Sequence, residues 1–279
     1  MTVTQFGSIL AAAVIALSAL MALAWLIWRG TRNSGWIDCT WTFGLGVIGA
    51  GGALMPALSS GPETARRATV AILIAVWALR LGVHIVRRSA ARPDDPRYAT
   101  LIRGWGANAS WRMFVLLQQQ ALVSIPLLLA MLLAAGNPAP GLRPQDFAAI
   151  AVLLAGIGGE ALADAQLRRF RGRESGARRD HALCDAGLWR WSRHPNYFFE
   201  WFGWLAYPLF AIDLGGTYPW GYAALAGPLC MYWLLVHVSG IPPLEAHMLE
   251  RDPLRFRAYQ ARTNAFFPAP PRVLAPVQR

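Results

Sequence analysis

Long apolar segments recur along this chain of 279 residues and constrain its fold more than any other feature. A helix needs about 20 apolar residues to cross the hydrocarbon core of a bilayer. Charged residues make up only 15% of the chain, against about 25% in soluble domains. We identify seven apolar segments, residues 6–28, 36–58, 68–86, 113–135, 147–163, 198–212 and 220–238. The sequence therefore predicts an all-α, polytopic membrane bundle of about seven transmembrane helices, with residues 1–279 forming a single integral membrane domain.

The basic residues indicate the orientation of this bundle. All 26 of them are arginine, and the net charge is +11. If the N-terminus lies outside and the chain crosses seven times, most arginines fall in cytoplasmic loops and in the C-terminal tail. Only Arg66, Arg67 and Arg143 then lie outside. Because cytoplasmic loops carry an excess of Lys and Arg, we predict an external N-terminus and a cytoplasmic C-terminus. Topology thus explains the basic charge, and we expect no nucleic-acid partner.

Two familiar site patterns lack their required context. Gly44, Gly46 and Gly49 match the GxGxxG spacing of dinucleotide-binding proteins, but they lie inside an apolar segment rather than after a strand, and no acidic residue follows 20 positions later. We expect these glycines to let helices pack closely. The three cysteines form no CxxC pair and the histidines form no HExxH motif, so we predict neither a disulfide framework nor a metal site.

Polar residues in the apolar chain are concentrated between positions 158 and 250. Glu160, Asp164 and Arg168 follow one another at helical spacing, and Arg171 lies about one turn further on. This pattern fits a charge-paired helix end at the membrane boundary. It equally fits a cytosolic pocket, in which arginine would bind phosphate because its planar fork contacts two oxygens at once.

A second polar group favours a site. Asn196 and Glu200 are four residues apart, within a run of aromatic residues. An ionisable side chain in such surroundings costs several kcal/mol unless it faces a partner or a wet cavity. His237 and Glu245 lie near the inner end of the last segment, and each is equally compatible with an ordinary interfacial residue.

At these residues the chain resembles the steroid 5-alpha-reductase superfamily, and within it bacterial membrane proteins of unknown function. The most specific match is the run WSRHPNYFFEWFGW, which ends at Trp204, followed by the tail SGIPPLEAHMLERDP. The spacing of Asp164, Arg168 and Arg171 extends the match. The resemblance covers most of the chain, but it is specific only from about residue 158 to residue 268.

The resemblance implies a seven-helix bundle that binds NADPH from the cytosolic side. Such a protein reduces a carbon–carbon double bond conjugated to a carbonyl, in a sterol-like or other lipid substrate surrounded by membrane lipids. Residues 147–268 would bind the cofactor, residues 1–135 would form the substrate cavity, and the protein would span the bacterial inner membrane. Transferred by motif, the cofactor-binding residues are Asp164, Arg168, Arg171, Arg193, His194, Asn196, Tyr197, Glu200, His237 and Glu245.

The substrate half departs from the steroid enzymes. Those enzymes carry a Gln-Glu pair in the second span and a Tyr in the third, which engage the steroid carbonyl. Here the second segment has no such pair, and Trp77 stands where that Tyr would align. We predict that Asp38, Arg80 or His84 polarises the carbonyl, because they are the only ionisable residues inside these two segments.

Two other functions remain open on the sequence. Membrane methyltransferases of the isoprenylcysteine and phospholipid type also carry an Arg-His-Pro-x-Tyr run and bind S-adenosylmethionine. They usually follow it with a Glu-Glu pair, whereas this tail has the single Glu245. A transporter or lipid-binding scaffold is the third possibility, but transporters often show internal repeats around charges at the bilayer midplane, and no repeat is visible here.

Overall fold

Helices are the regular elements of this chain. A computed structural model describes residues 3–55, 64–90, 94, 96–173 and 183–272, and these contain no strand. The α-helices are α1 (Val3–Thr31), α2 (Gly35–Leu54), α3 (Thr64–Ala90), α4 (Pro96–Trp105), α5 (Ala109–Ala135), α6 (Pro144–Arg173), α7 (Pro195–Trp204), α8 (Ala206–Ala211), α9 (Ala226–Trp233), α10 (Ile241–Arg251) and α11 (Pro253–Arg262). Short 3₁₀ helices span Gly106–Asn108, Gly187–Arg190 and Pro219–Leu225, and Leu234–Val238 is a π-helix.

Six helical segments within the described ranges are long and apolar enough to cross a membrane. They are Thr4–Thr31, Gly35–Leu54, Ala65–Ala90, Leu101–Ala135, Pro144–Gly172 and Pro219–Arg251. Their number and length indicate an integral membrane protein and confirm the predicted all-α class. The end of the predicted second span, residues 56–58, lies outside the described residues.

The predicted count of seven is not confirmed. Residues 198–212 form two short helices, α7 and α8, separated by a turn at Leu205. Pro208 has no N–H to donate to the carbonyl of Trp204, so a regular helix cannot run through this point with all its hydrogen bonds. The prediction of one span rests on the apolar character of the segment, which does not reveal this interruption.

The chain divides into two compact units. The first comprises Met1–Ile150 and Ala206–Cys230, and the second comprises Ala151–Leu205 and Met231–Arg279. All ten predicted cofactor-binding residues belong to the second unit, whereas Asp38, Arg80 and His84 belong to the first.

Glycines of α2 allow close packing in the first unit. A Cβ atom added to Gly46 would lie 2.3 Å from the Cβ of Ala78 in α3, and one added to Gly49 would lie 2.6 Å from the sulfur of Met131 in α5. Side chains at these positions would therefore push the helices apart. The structure confirms that this glycine-rich segment serves helix packing, as expected for small residues in membrane helices.

A buried ion cluster fastens one end of the first unit. Arg66 and Asp146 are both fully buried, and their side chains approach to 2.7 Å. Arg66 also donates to the carbonyls of Asn137 and Gly141, at 3.0 and 2.6 Å. Arg143 contacts the other oxygen of Asp146 at 2.9 Å. The orientation predicted from the distribution of arginines assigns Arg66 and Arg143 to external loops. In the structure, these two side chains join α3, α6 and the segment before α6.

Replacing Asp146 by Asn should strongly destabilise the protein, because it leaves the Arg66 guanidinium buried without its counter-charge. Removing one partner of a buried ion pair costs about 3–5 kcal/mol. The matched control is Asp185→Asn, since Asp185 and its partner Arg262 are 47% and 46% exposed, and exposed pairs contribute about 0–1 kcal/mol. Thermal unfolding in detergent measures both variants, and equal melting temperatures would contradict the anchoring role of Asp146.

Candidate functional site

Glycines bring the backbones of α6 and α7 into contact within the second unit. A Cβ atom added to Gly156 would lie 2.7 Å from the Cα of Gly203. One added to Gly159 would lie 2.2 Å from the ring of Phe199. These two pairs show that the helices run antiparallel, because the contact moves toward the start of α7 as it moves toward the end of α6. The part of α6 that carries Glu160 and Asp164 therefore lies beside the first turns of α7, and the last two turns of α6 extend beyond the start of α7.

Buried carboxylates line this paired stretch. Glu160 and Asp164 on α6 are each 5% exposed, and Glu200 on α7 is 9% exposed. Glu200 accepts a hydrogen bond from the indole nitrogen of Trp204 at 2.8 Å. Asn196 is half-buried one turn before Glu200, on the same face of α7. Such burial is costly unless each carboxylate has polar partners. The contact region between α6 and α7 is therefore polar, although most of the chain is apolar.

The carboxylate of Glu245, on α10, gathers a second polar group. One oxygen accepts from Nε of Arg193 and faces Nε2 of His194, both at 2.8 Å. The other accepts from Nη2 of Arg193 at 3.2 Å and from Nε2 of Gln260 at 2.8 Å. Four contacts fill the usual acceptor positions of a carboxylate. In this structure Glu245 orients Arg193 and His194. The predicted contact between Glu245 and a cofactor stays a prediction.

His194 is held firmly at the start of α7. The side chain is 2% exposed, and the ring of Tyr197 stacks on it with centroids 5.5 Å apart. Burial lowers the pKa of His194, because the charged ring loses hydration, while Glu245 opposes that shift. The ring therefore favours its neutral form, with Pro195 directly behind it as the first residue of the helix.

The C-terminal strap, residues 263–272, fixes the segment that carries these side chains. The N–H of Arg193 donates to the carbonyl of Asn264 at 2.8 Å, and the N–H of Ala269 donates to the carbonyl of Trp191 at 2.9 Å. The hydroxyl of Ser192 donates to the carbonyl of Phe266 at 2.8 Å. The strap thus supplies partners to a non-helical stretch that cannot satisfy its own backbone. Sequence reasoning missed the strap, since its main-chain contacts leave little trace in residue type.

The remaining predicted cofactor residues lie at the surface of the second unit. Arg168 and Arg171 are exposed near the C-terminal end of α6. His237 is exposed in the π-helix Leu234–Val238, with its ring 5.9 Å from that of Tyr232. Within the described residues, no contact ties His237 to the Glu245 group.

The three predicted catalytic residues are spread over two helices of the first unit. The Asp38 carboxylate pairs with Arg88 at 3.5 Å, with side chains 22% and 40% exposed. Arg80 and His84 are half-buried on α3. At 1.5 Å per residue they lie about 12 and about 6 Å from Arg88 along the axis. The structure therefore places Asp38 closer to the level of His84 than to that of Arg80.

Tyr98 is the functional candidate that sequence reasoning overlooked. It is 6% exposed, its hydroxyl donates to Asp38 at 3.4 Å, and it accepts from the amide of Gln120 at 3.1 Å. Asp38 and Tyr98 are 60 positions apart, so no local spacing relates them. The polar Gln120 within an apolar segment is a sequence signal that could have pointed to a partner in this region.

Fold and site together define an all-helical integral membrane protein with buried acidic and imidazole side chains and a half-buried amide in its second unit. The chain belongs to the family described as protein of unknown function DUF1295, which it matches over residues 24–263. This match includes every predicted site residue. No curated protein and no solved structure matches the chain.

Replacing Gly156 by Ala should disrupt the contact that aligns α6 with α7. The added methyl group would meet backbone atoms, which cannot rotate away as a side chain does. Overpacking of this kind costs about 1–3 kcal/mol. The control is Gly158→Ala on the same helix, where nothing lies within 4 Å and the higher helix propensity of Ala contributes up to about 1 kcal/mol. Melting temperatures in detergent should thus move in opposite directions, and parallel shifts would refute the contact.

Proposed function

We propose that this protein is an NADPH-dependent reductase of a carbon–carbon double bond conjugated to a carbonyl, acting on a sterol-like or other lipid substrate. The observation that carries the proposal is the burial of Glu160, Asp164 and Glu200 beside Asn196 along α6 and α7. Ionisable residues are kept inside a membrane protein mainly for function. The proposal also draws on the resemblance of this stretch to the steroid 5-alpha-reductase superfamily.

The residues of the second unit suit the parts of a dinucleotide. Asn196 offers both a donor and an acceptor, which a nicotinamide carboxamide requires. Carboxylates such as Asp164 and Glu200 accept hydrogen bonds from ribose hydroxyl groups. Arg168 and Arg171 are exposed, and the planar fork of arginine binds phosphate oxygens in pairs.

The chain's own task in the reaction is to stabilise charge on the substrate. Bound NADPH would supply a hydride to the β-carbon of the enone, which leaves negative charge on the carbonyl oxygen. A preorganised donor facing that oxygen lowers the barrier. Among the predicted residues we assign this role to Asp38 acting through Tyr98, which is buried. The Tyr98 O–H points to Asp38 and would turn from that carboxylate to the substrate oxygen when substrate binds, while Gln120 still donates to the phenol oxygen. Gln120, as a donor to the phenol oxygen, would also stabilise a tyrosinate.

Tyr98→Phe should lower turnover about 10²-fold or more, the usual effect of losing a positioned proton donor. NADPH binding should be retained, since the change is in the other unit from the predicted cofactor residues. The control is Tyr222→Phe, at a tyrosine that is 51% exposed. NADPH oxidation with a panel of lipid enones is the assay, run alongside Asp38→Asn, Arg80→Ala and His84→Ala. If Tyr98→Phe and Asp38→Asn leave turnover unchanged, the assignment to Asp38 and Tyr98 is wrong, whatever the other two variants do.

Cofactor binding is the direct test of the reductase. A ligand at 100 times its dissociation constant raises the free energy of unfolding by about 2.7 kcal/mol, so we expect NADPH to raise the melting temperature of the detergent-purified protein. Two variants, Asn196→Ala and Glu200→Gln, should bind NADPH more weakly. Each should need about tenfold or more NADPH to reach the same rise in melting temperature. Glu200→Gln keeps an oxygen that can accept from Trp204, removes the charge and replaces the other oxygen by an NH2 donor. Glu250→Gln, at an exposed position on α10, is the control.

The alternative is an S-adenosylmethionine-dependent membrane methyltransferase. One observation favours it, namely that Glu245 holds both Arg193 and His194, which begin the Arg-His-Pro-Asn-Tyr run shared with that class. Stabilisation by S-adenosylmethionine but not by NADPH would replace the reductase with the methyltransferase. Stabilisation by neither would favour a transport or lipid-binding role.

We further propose seven crossings of a bacterial inner membrane, with the N-terminus outside and the cofactor residues facing the cytoplasm. The seventh crossing would be the stretch from Pro195 to Ala211, now two helices. A continuous helix of that length would span about 26 Å, close to the roughly 30 Å of the hydrocarbon core. Reporters fused to each terminus, one active outside and one fluorescent inside, measure this directly. Seven crossings place the termini on opposite sides, and six place them on the same side.

A further inference from the structure

The Glu245 carboxylate determines which nitrogen of His194 carries the proton. Its four hydrogen-bonding contacts come from Arg193, Gln260 and His194. Arg193 and Gln260 can only donate through the nitrogens they present, and an ionised carboxylate can only accept. Nε2 of His194, 2.8 Å from the carboxylate oxygen, is therefore the protonated nitrogen of a neutral ring.

The other ring nitrogen is then an acceptor. Nδ1 of His194 is buried and makes no hydrogen bond within the part of the chain that the structure describes. A 180° turn of the ring would remove the Nε2 donor from Glu245, so the hydrogen bond to this carboxylate opposes it. Burial also lowers the pKa of His194, which keeps Nδ1 unprotonated near neutral pH.

A fixed, buried acceptor is costly to leave unsatisfied, and this one stands among the predicted cofactor residues. We propose that Nδ1 of His194 accepts a hydrogen bond from an N–H or O–H group of the bound cofactor, and that Glu245 is the positioning residue that sets the tautomer. The inference rests on the proposed function only in taking NADPH as that cofactor. The carboxamide of NADPH and the amino group of S-adenosylmethionine both supply such a donor.

Two substitutions separate the two ring nitrogens. His194→Gln places an amide nitrogen near the position of Nε2, so it keeps the donor to Glu245 and loses the acceptor. His194→Asn places an amide oxygen near the position of Nδ1, so it keeps an acceptor and loses the contact with Glu245. We expect His194→Gln to melt close to wild type and to bind NADPH about tenfold more weakly. His194→Asn should melt lower and bind NADPH more tightly than His194→Gln does. The opposite order in binding would overturn the inference.

Nitrogen NMR of the full-length protein, labelled in histidine, reads the tautomer itself. The His194 resonances are the ones lost in His194→Gln. Without cofactor, Nε2 should be protonated and Nδ1 bare, and addition of NADPH should shift Nδ1 as it accepts a hydrogen bond. A proton on Nδ1 in the cofactor-free protein would overturn the inference.

The two ligands separate this inference from the reductase proposal. If NADPH stabilises the protein and Nδ1 does not shift, the inference fails and the reductase stands. If only S-adenosylmethionine binds and shifts Nδ1, the inference stands and the reductase fails. Binding of neither cofactor would overturn both.

Discussion

A single carboxylate organises the candidate site. Glu245 contacts the arginine and histidine that precede α7 and the glutamine of α11, and so ties three stretches of the second unit to one point. Arg193 and Glu245 are 52 positions apart, and their alignment depends on this charge pair together with the strap that covers residues 191–193. Without this carboxylate, the side chains of Arg193 and His194 would lose the contact that aligns them with α10.

In the first unit, too, one carboxylate, that of Asp146, contacts side chains from several elements. Asp146 pairs with two arginines, Arg66 and Arg143. Their remaining N–H groups donate to backbone carbonyls and so hold the ends of helices in place. Arg66 and Asp146 are completely enclosed, which suits an anchor. In the second unit, by contrast, the ring held by Glu245 retains a polar atom that no described residue satisfies. A carboxylate thus fastens helix ends in the first unit, and in the second it orients the ring that we propose to contact a cofactor.

The sequence predicted what depends on local pattern. Apolar length gave the membrane helices, and glycine spacing gave the packing of α2 against Ala78 and Met131. The acidic positions Asp164 and Glu200 stood out because their neighbours are apolar, and both are buried. Contacts between distant positions escaped prediction, among them Asp38 with Tyr98 and Arg66 with Asp146. Arg66 looked like a topological loop charge because residue type alone cannot distinguish a solvated arginine from one enclosed by carbonyls. The break between α7 and α8 escaped for a related reason, since hydropathy does not register a missing donor at Pro208.

The contact between Gly156 and Gly203 also limits which substitutions can be compensated at this position. At Gly46, an added methyl group meets the Cβ of Ala78, so a change there can be compensated by a second change of Ala78 to glycine. At Gly156 the opposing atoms are the backbone of Gly203 and the carbonyl of Phe199, and no residue is smaller than glycine. Second-site suppressors are therefore accessible at the first contact and closed at the second. We therefore expect the spacing between α6 and α7, and with it the distance between their polar side chains, to tolerate substitution less than the contact between Gly46 and Ala78 does.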